Sequence, residues 1–145
     1  MASLKKFLVG KGYIKISLNI TKSNHFEIIA KINEVEGRFI LDTGASSTCI
    51  DIQNTDFFNL KPEKSDVKAA GAGGSGMDTQ IAKKNQLSMG AWKKNSLTIV
   101  LFNMSHVNDA LIDHDSMPVH GIIGADVLKK SKAIIDYNKR CVYLK

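Results

Sequence analysis

The chain has 145 residues, 43% hydrophobic and 23% charged, with only two prolines, which excludes disorder and fibrous repeats and suffices for one domain with a buried core. No stretch approaches the roughly 18 consecutive apolar residues that cross a bilayer, so no membrane partner is expected. The net charge of +6 is carried by lysines, with only Arg38 and Arg140 beside them, in doublets at 5–6, 83–84, 93–94 and 129–130; such dispersed charge makes a solvated surface, and no nucleic-acid partner is expected.

At the N-terminus a short apolar patch, residues 7–9, is cut by Gly10 and Lys11 and is too brief for a secretory signal. Residues 13–20 alternate, with Ile14, Ile16, Leu18 and Ile20 on one face, and predict a strand. Residues 25–32 alternate again and gather Phe26, Ile28, Ala30 and Ile32. A turn over 33–37 and a strand over 38–41 complete a hairpin. Cys49 lies in an apolar run, as does Cys141. The two have neither a disulfide framework nor metal-ligand spacing and read as buried free thiols of a reducing compartment, so a cytoplasmic location is expected.

The segment Ala69-Ala70-Gly71-Ala72-Gly73-Gly74-Ser75-Gly76 has no Gly-Lys-Ser/Thr ending and no helical pattern after it, so it is not a phosphate cradle. Extended arms at 66–68 and 79–82 flank it, which suits a mobile hairpin tip. Trp92 reads as a packing or turn residue. Residues 97–104 are a β-branched apolar run and predict a strand buried on both sides. Residues 105–119 read as a polar loop. A helix of about two turns is expected over 125–131, after Gly124, with lysines in its last turn. Two short strands, 133–137 and 141–144, close the chain around Asn138-Lys139-Arg140. Many strands and one short C-terminal helix make the chain all-β, a small barrel or sandwich.

The site-like feature is Phe39-Ile40-Leu41-Asp42-Thr43-Gly44-Ala45-Ser46, an apolar strand that ends in a carboxylate, Thr, Gly and small residues. Further on comes Val119-His120-Gly121-Ile122-Ile123-Gly124-Ala125-Asp126, which leads into the helix. Together, in this order, the features resemble the retropepsin-like aspartic peptidases, which include the retroviral proteases. In that family an apolar strand ends in Asp-Thr/Ser-Gly-Ala/Ser, a glycine-bearing flap follows, and an Ile/Leu-Ile/Leu-Gly motif enters a short helix. The resemblance covers residues 25–144. It implies a closed acid-protease barrel over 25–145, with 1–24 an N-terminal extension that adds a strand. Ala125 stands where many retroviral enzymes have Arg, so Arg-mediated support of a dimer is not carried over.

The resemblance implies Asp42, Thr43 and Gly44 as catalytic residues. Ala45 and the flap residues Gly71, Ala72, Gly73, Gly74, Ser75 and Gly76 would contact substrate. Hydrolysis by this route needs two facing carboxylates that share one proton, because like charges about 3 Å apart cannot both ionise. Aspartic proteases are the standard illustration of such a dyad. The chain holds one Asp-Thr-Gly and no second; neither Asp126 nor Asp136 is followed by Thr/Ser-Gly. The partner carboxylate must then be Asp42 of another copy, in a two-fold homodimer. Residues 141–145, alternating at the chain end, are the expected interface edge.

The expected activity is aspartic endopeptidase cleavage of a peptide or protein substrate, with no metal and no cofactor. An alternative on the same fold is a non-catalytic peptide-binding or dimerisation module. His106, Asp109, Asp113, His114, Asp115 and His120 also raise a metal-dependent hydrolase, but their spacing matches no common ligand pattern. Cys49 lacks a suitably spaced His and reads as a small core residue rather than a nucleophile.

Overall fold

The computed structural model describes residues 3–65 and 78–145. Among the described residues, eleven strands and three short helices are arranged in chain order. Helix α1 (Leu4–Gly10) is followed by β1 (Ile14–Ser17), β2 (Asn19–Ile20), β3 (Phe26–Ile32), β4 (Val35–Leu41) and β5 (Cys49–Asp51). A 3₁₀ turn (Ile52–Asn54), β6 (Pro62–Lys64), β7 (Gln80–Met89) and β8 (Trp92–Phe102) come next. Helix α2 (Ser105–Asp113), β9 (Gly121–Ile123), α3 (Ala125–Lys130), β10 (Ile134–Asp136) and β11 (Cys141–Leu144) complete the chain.

Strands β3-β4-β9-β5-β8-β7 are hydrogen-bonded in that order, and β7 returns to β3 through Lys31↔Ser88 and Ile32↔Leu87. The result is a closed six-stranded barrel, the architecture the sequence resemblance implied. Closure removes the sheet edges that would otherwise invite pairing. β2 and β6 extend it at β3 and β7. Inside lie Ile28, Ile32, Phe39, Ile50, Leu87, Ile99, Leu101 and Ile123, all essentially free of solvent.

Local chemistry explains the hairpins. β3 buries Phe26, Ile28, Ala30 and Ile32 in strict alternation, as predicted. The turn to β4 is only Asn33-Glu34, both at positive φ (50° and 69°); two left-handed residues make the tight turn whose twist matches its strands. The wider turn expected over 33–37 is therefore shorter, and β4 begins at Val35. β8 begins earlier than expected, at Trp92, after the two-residue turn Gly90-Ala91. It alternates rather than being buried on both sides throughout: Leu97, Ile99 and Leu101 enter the barrel core, whereas Val100 and Phe102 face a second apolar cluster. Trp92 is buried, and its Nε1 donates to the Lys145 carbonyl at 3.3 Å.

The predicted strand over 13–20 divides at Leu18. β1 pairs with β11, whereas β2 joins the barrel at β3. The separate sheet runs β1-β11-β10, so β11 lies between two strands of its own chain and all four of its residues are buried. That corrects the expected interface at 141–145: the free edge on this side belongs to β10. Two helices stand beyond the one expected. α1 packs Leu8 against Cys141 and Tyr143. α2 replaces the polar loop expected at 105–119, because Met104, Val107 and Leu111 recur at helical spacing and settle on Ile40, Cys49 and Ile122. The C-terminal helix forms as predicted, at Ala125–Lys130.

His120 zips the segment before β9 onto β4. Its backbone N–H donates to the Arg38 carbonyl (2.8 Å), and its Nδ1 accepts from the Arg38 N–H (3.0 Å). The ring stacks on Phe57 with centroids 5.4 Å apart. Accepting at Nδ1 requires the neutral ring, and burial together with the Arg38 guanidinium lowers its affinity for a proton. The unfolded chain therefore takes up this proton first on acidification, so His120 withdraws stability as pH falls below about 6.5 and has no effect above it. In His120→Gln, whose carbonyl can still accept, the urea midpoint should fall less between pH 7.5 and 5.5 than in the parent. Equal falls would show that His120 is not the group responsible.

Candidate active site

Asp42 follows directly on β4, where Leu41 pairs with Ile123 of the parallel strand β9. The Asp42 N–H donates to the Ile123 carbonyl (3.0 Å), which pins the start of the turn to β9. The Gly44 N–H then donates to Asp42 Oδ1 at 2.8 Å. A Cβ at Gly44 would lie 3.2 Å from that oxygen, so glycine lets the backbone close on the carboxylate. The far end of the turn is pinned by the Ala125 N–H, which donates to the Ala45 carbonyl at 2.7 Å. Gly124 permits that contact, since a Cβ there would sit 2.7 Å from the Ala45 oxygen.

A second latch lies just behind. Asp126 accepts from the Thr48 N–H at Oδ2 (3.0 Å), and at Oδ1 from the Thr48 hydroxyl (2.8 Å) and the Val127 N–H (2.8 Å). Thr48 Oγ1, fully buried, accepts in turn from the Gly124 N–H at 3.1 Å. Asp126 is thus a structural anchor that ties the Asp42 turn to α3. Its role was not legible beforehand, because Thr48 is far away in sequence. Asp126→Ala should lower stability by about 2–4 kcal/mol, since three donors lose a charged acceptor, and a urea melt reads this directly. A loss below about 0.5 kcal/mol would show that water replaces the carboxylate at no cost.

Asp42 is half-buried, Thr43 and Gly44 are exposed and Ala45 is half-buried. Asp42 opens into a cavity of about 240 Å³ that it shares with Ile40, Val107, Leu111, His114 and Ile122, with His25 and Ser23 also contributing. On the other side of the turn, Thr43 borders a mostly apolar groove of about 360 Å³ with Ala125, Leu128, Ala133 and Ile135. The α2 residues and His25 beside Asp42 were missed in the sequence; the helical recurrence of Val107 and Leu111 was the available signal. The glycine segment 71–76, expected to contact substrate, lies outside the described residues. The arms around it, β6 and β7, pair antiparallel through Lys64↔Gln80.

Other candidates have different work. Cys49 is buried, and burial, with the nearby Asp126 and Asp42 carboxylates, pushes its thiol up to about 12. It stays protonated and cannot act as a thiolate nucleophile. Asp136 Oδ1 accepts from the Lys139 N–H and caps the β10–β11 turn. Among the described residues no three His, Cys, Asp or Glu side chains gather as metal ligands would, and no helix is long and apolar enough to cross a membrane.

The sequence profile of a family described as aspartyl protease matches residues 28–127. No curated protein matches the chain. Among solved structures, a retropepsin-like aspartic protease from Rickettsia conorii superposes with a TM-score of 0.60 at 20% identity, over 92% of this chain and 89% of that one. The EIAV protease complexed with the inhibitor HBY-793 gives 0.58 at 17% identity, over 77% and 92%. The retroviral protease-like domain of Ddi1 from Leishmania major gives 0.54 at 14% identity, over 83% and 88%. These likenesses concern the fold.

Proposed function

We propose that this chain, which belongs to the aspartyl protease family, is an aspartic endopeptidase that works as a homodimer with Asp42 of each copy facing the other. The observation that carries this reading is the Asp42-Thr43-Gly44 turn, pinned at both ends by β9 and α3, with its carboxylate opening into a cavity. The peptidase unit is assigned to residues 25–145, with 1–24 an extension. The glycine-rich residues 71–76, which lie in sequence between the paired strands β6 and β7, serve as the flap over substrate.

The chemistry follows from two carboxyl groups that share one proton. The ionised one takes a proton from water, whose oxygen attacks the scissile carbonyl carbon. The protonated one gives its proton to the carbonyl oxygen, and a neutral gem-diol forms. The first then protonates the amide nitrogen as the C–N bond breaks, while the second recovers a proton from the diol. One chain supplies only one of these carboxyls.

The two-fold partner sits on the face beside the turn. Among the described residues β10 has one unpaired edge, and its half-buried Ile135 continues the apolar groove of Thr43, Ala125 and Leu128. Antiparallel pairing of β10 with the partner's β10 would cover that groove and bring the Thr43 loops together. The test is digestion of an unfolded protein by the parent and by Asp42→Asn, with cleavage by the parent alone as the expected result.

A further inference from the structure

We infer that helix α1 and the basic surface around it dock the protein on an anionic lipid bilayer, lying on the membrane without crossing it. The expectation of no membrane partner concerns spanning length, which a helix lying on the surface does not need. The inference is independent of the peptidase reading, since no group of the Asp42 turn takes part. Three observations carry it.

First, the charge of the chain is unevenly placed. Residues 3–17 and 124–145, which form α1, α3 and the sheet β1-β11-β10, hold ten Lys and Arg against two acids, Asp126 and Asp136. Both acids are engaged locally, Asp126 by Thr48 and Val127 and Asp136 by the Lys139 N–H. Residues 18–123 hold ten Lys and Arg against twelve Asp and Glu. The whole positive excess therefore sits in this part of the fold, where Lys5, Lys6, Lys11, Lys15 and Lys145 are all exposed. Second, α1 shows water apolar side chains that its packing does not use. Leu8 alone is buried, against Cys141 and Tyr143, whereas Leu4, Phe7 and Val9 are 48%, 60% and 49% exposed. A nucleic acid or an acidic protein would use the lysines and leave these side chains wet. A bilayer uses both, because Leu and Phe enter the headgroup boundary while lysine ammoniums stay with the phosphates. Lys11 Nζ already stands 5.5 Å from the Phe7 ring centroid, so cation and apolar group share one side. Third, the helix is fixed before it meets a surface. Ser3 Oγ accepts from the Lys6 N–H (3.1 Å), the Tyr13 N–H donates to the Leu8 carbonyl (3.0 Å), and the Tyr13 hydroxyl donates to the Lys132 carbonyl (3.0 Å). Docking then carries little ordering cost. By contrast, the exposed Ile112 of α2 shares its helix with Asp109 and Asp113, which an anionic surface repels.

Each lysine brought to an anionic leaflet strengthens binding by about fivefold. The full chain, sedimented with vesicles of phosphatidylcholine and about one-third phosphatidylserine, should therefore bind at least tenfold more tightly than to phosphatidylcholine alone. Raising the salt from about 0.1 M to 1 M shortens the screening length from about 10 Å to 3 Å and should release most of the bound protein. Lys5→Gln with Lys6→Gln should weaken binding at least tenfold, and Phe7→Ser at least about fivefold. Ile112→Ser should leave it unchanged. All four side chains are exposed, so thermal melts of the variants should coincide with the parent's. A parent that sediments with neither kind of vesicle overturns the inference. So does binding that the lysine pair weakens and Phe7→Ser does not, which would mark a polyanion surface for nucleic acid or acidic protein. Equal losses in Phe7→Ser and Ile112→Ser would overturn it as well, since α1 would then have no special part. If Phe7→Ser changes the oligomeric state and leaves vesicle binding intact, the apolar face of α1 belongs to a second copy of the chain and the bilayer assignment falls.

Discussion

Asp42→Asn is expected to remove peptide cleavage, by at least about 10⁴-fold in kcat, and to leave the barrel in place. The magnitude follows from what one carboxyl does in each half of the reaction. It is the base that takes the proton of water and then the acid that protonates the leaving nitrogen, and each such proton transfer is worth about 10²–10⁴. Groups that act as one unit fail together, so the second carboxyl does not rescue the first. The fold should survive because the substitution is isosteric. The Gly44 N–H needs only an oxygen acceptor at 2.8 Å, which the Asn carbonyl offers. A thermal melt should place the variant close to the parent, within about 1 kcal/mol, as for a partly exposed site. Retention of even a tenth of parental cleavage would remove Asp42 from the mechanism. A parent that binds peptide without cutting it would instead favour the peptide-binding module on the same fold.

The barrel was legible because its strands report on themselves. Phe26, Ile28, Ala30 and Ile32 alternate and are buried in the same alternation, and the run through Leu41 ends at the carboxylate that the turn displays. The Ile122-Ile123-Gly124 motif was readable for a related reason: a strand buried on both faces is continuous apolar sequence, and a close backbone contact demands glycine. A Cβ at Gly124 would sit 2.7 Å from the Ala45 oxygen.

What escaped was set by contacts distant along the chain. In sequence β11 reads as an edge, because nothing in Cys141-Val142-Tyr143-Leu144 says that residues 14–17 pair with it. α2 was hidden by its own solvent face, where His106, Asp109 and Asp113 outnumber Val107 and Leu111 of the inner face; its apolar stripe is narrow because it lies on the barrel and not inside it. The same helix lines the cavity by Asp42, so the least legible element borders the candidate site. Asp126 lacks the Thr/Ser-Gly of a catalytic carboxylate, and what the sequence does not tell is that Thr48 and its own helix satisfy it.

Equal mixing of parent and Asp42→Asn chains is expected to cut activity to about a quarter of the parent's, not a half. With one Asp-Thr-Gly per chain, the dyad exists only in dimers of two parental copies, and random exchange leaves about one dimer in four of that kind. Specific activity of the parent alone should also fall on dilution past the dimer dissociation constant, by mass action. The interface assigned to β10 adds a check that separates assembly from chemistry. Ile135 lines the groove next to Thr43 and is only half-buried in one chain, so Ile135→Lys should spare the barrel. Two-fold symmetry would set the two lysines near one another and against apolar surface, which is costly without partners. The variant should sediment as a monomer where the parent is a dimer, with activity reduced at least tenfold at that concentration and recovered in part as protein is added. Activity in the mixture that equals the parental fraction, at every dilution, would mean that one chain carries a complete site. Since the chain holds no second Asp-Thr-Gly, Asp42 would then have to act with a different acid, and the two-carboxyl mechanism would have to be redrawn within a single barrel.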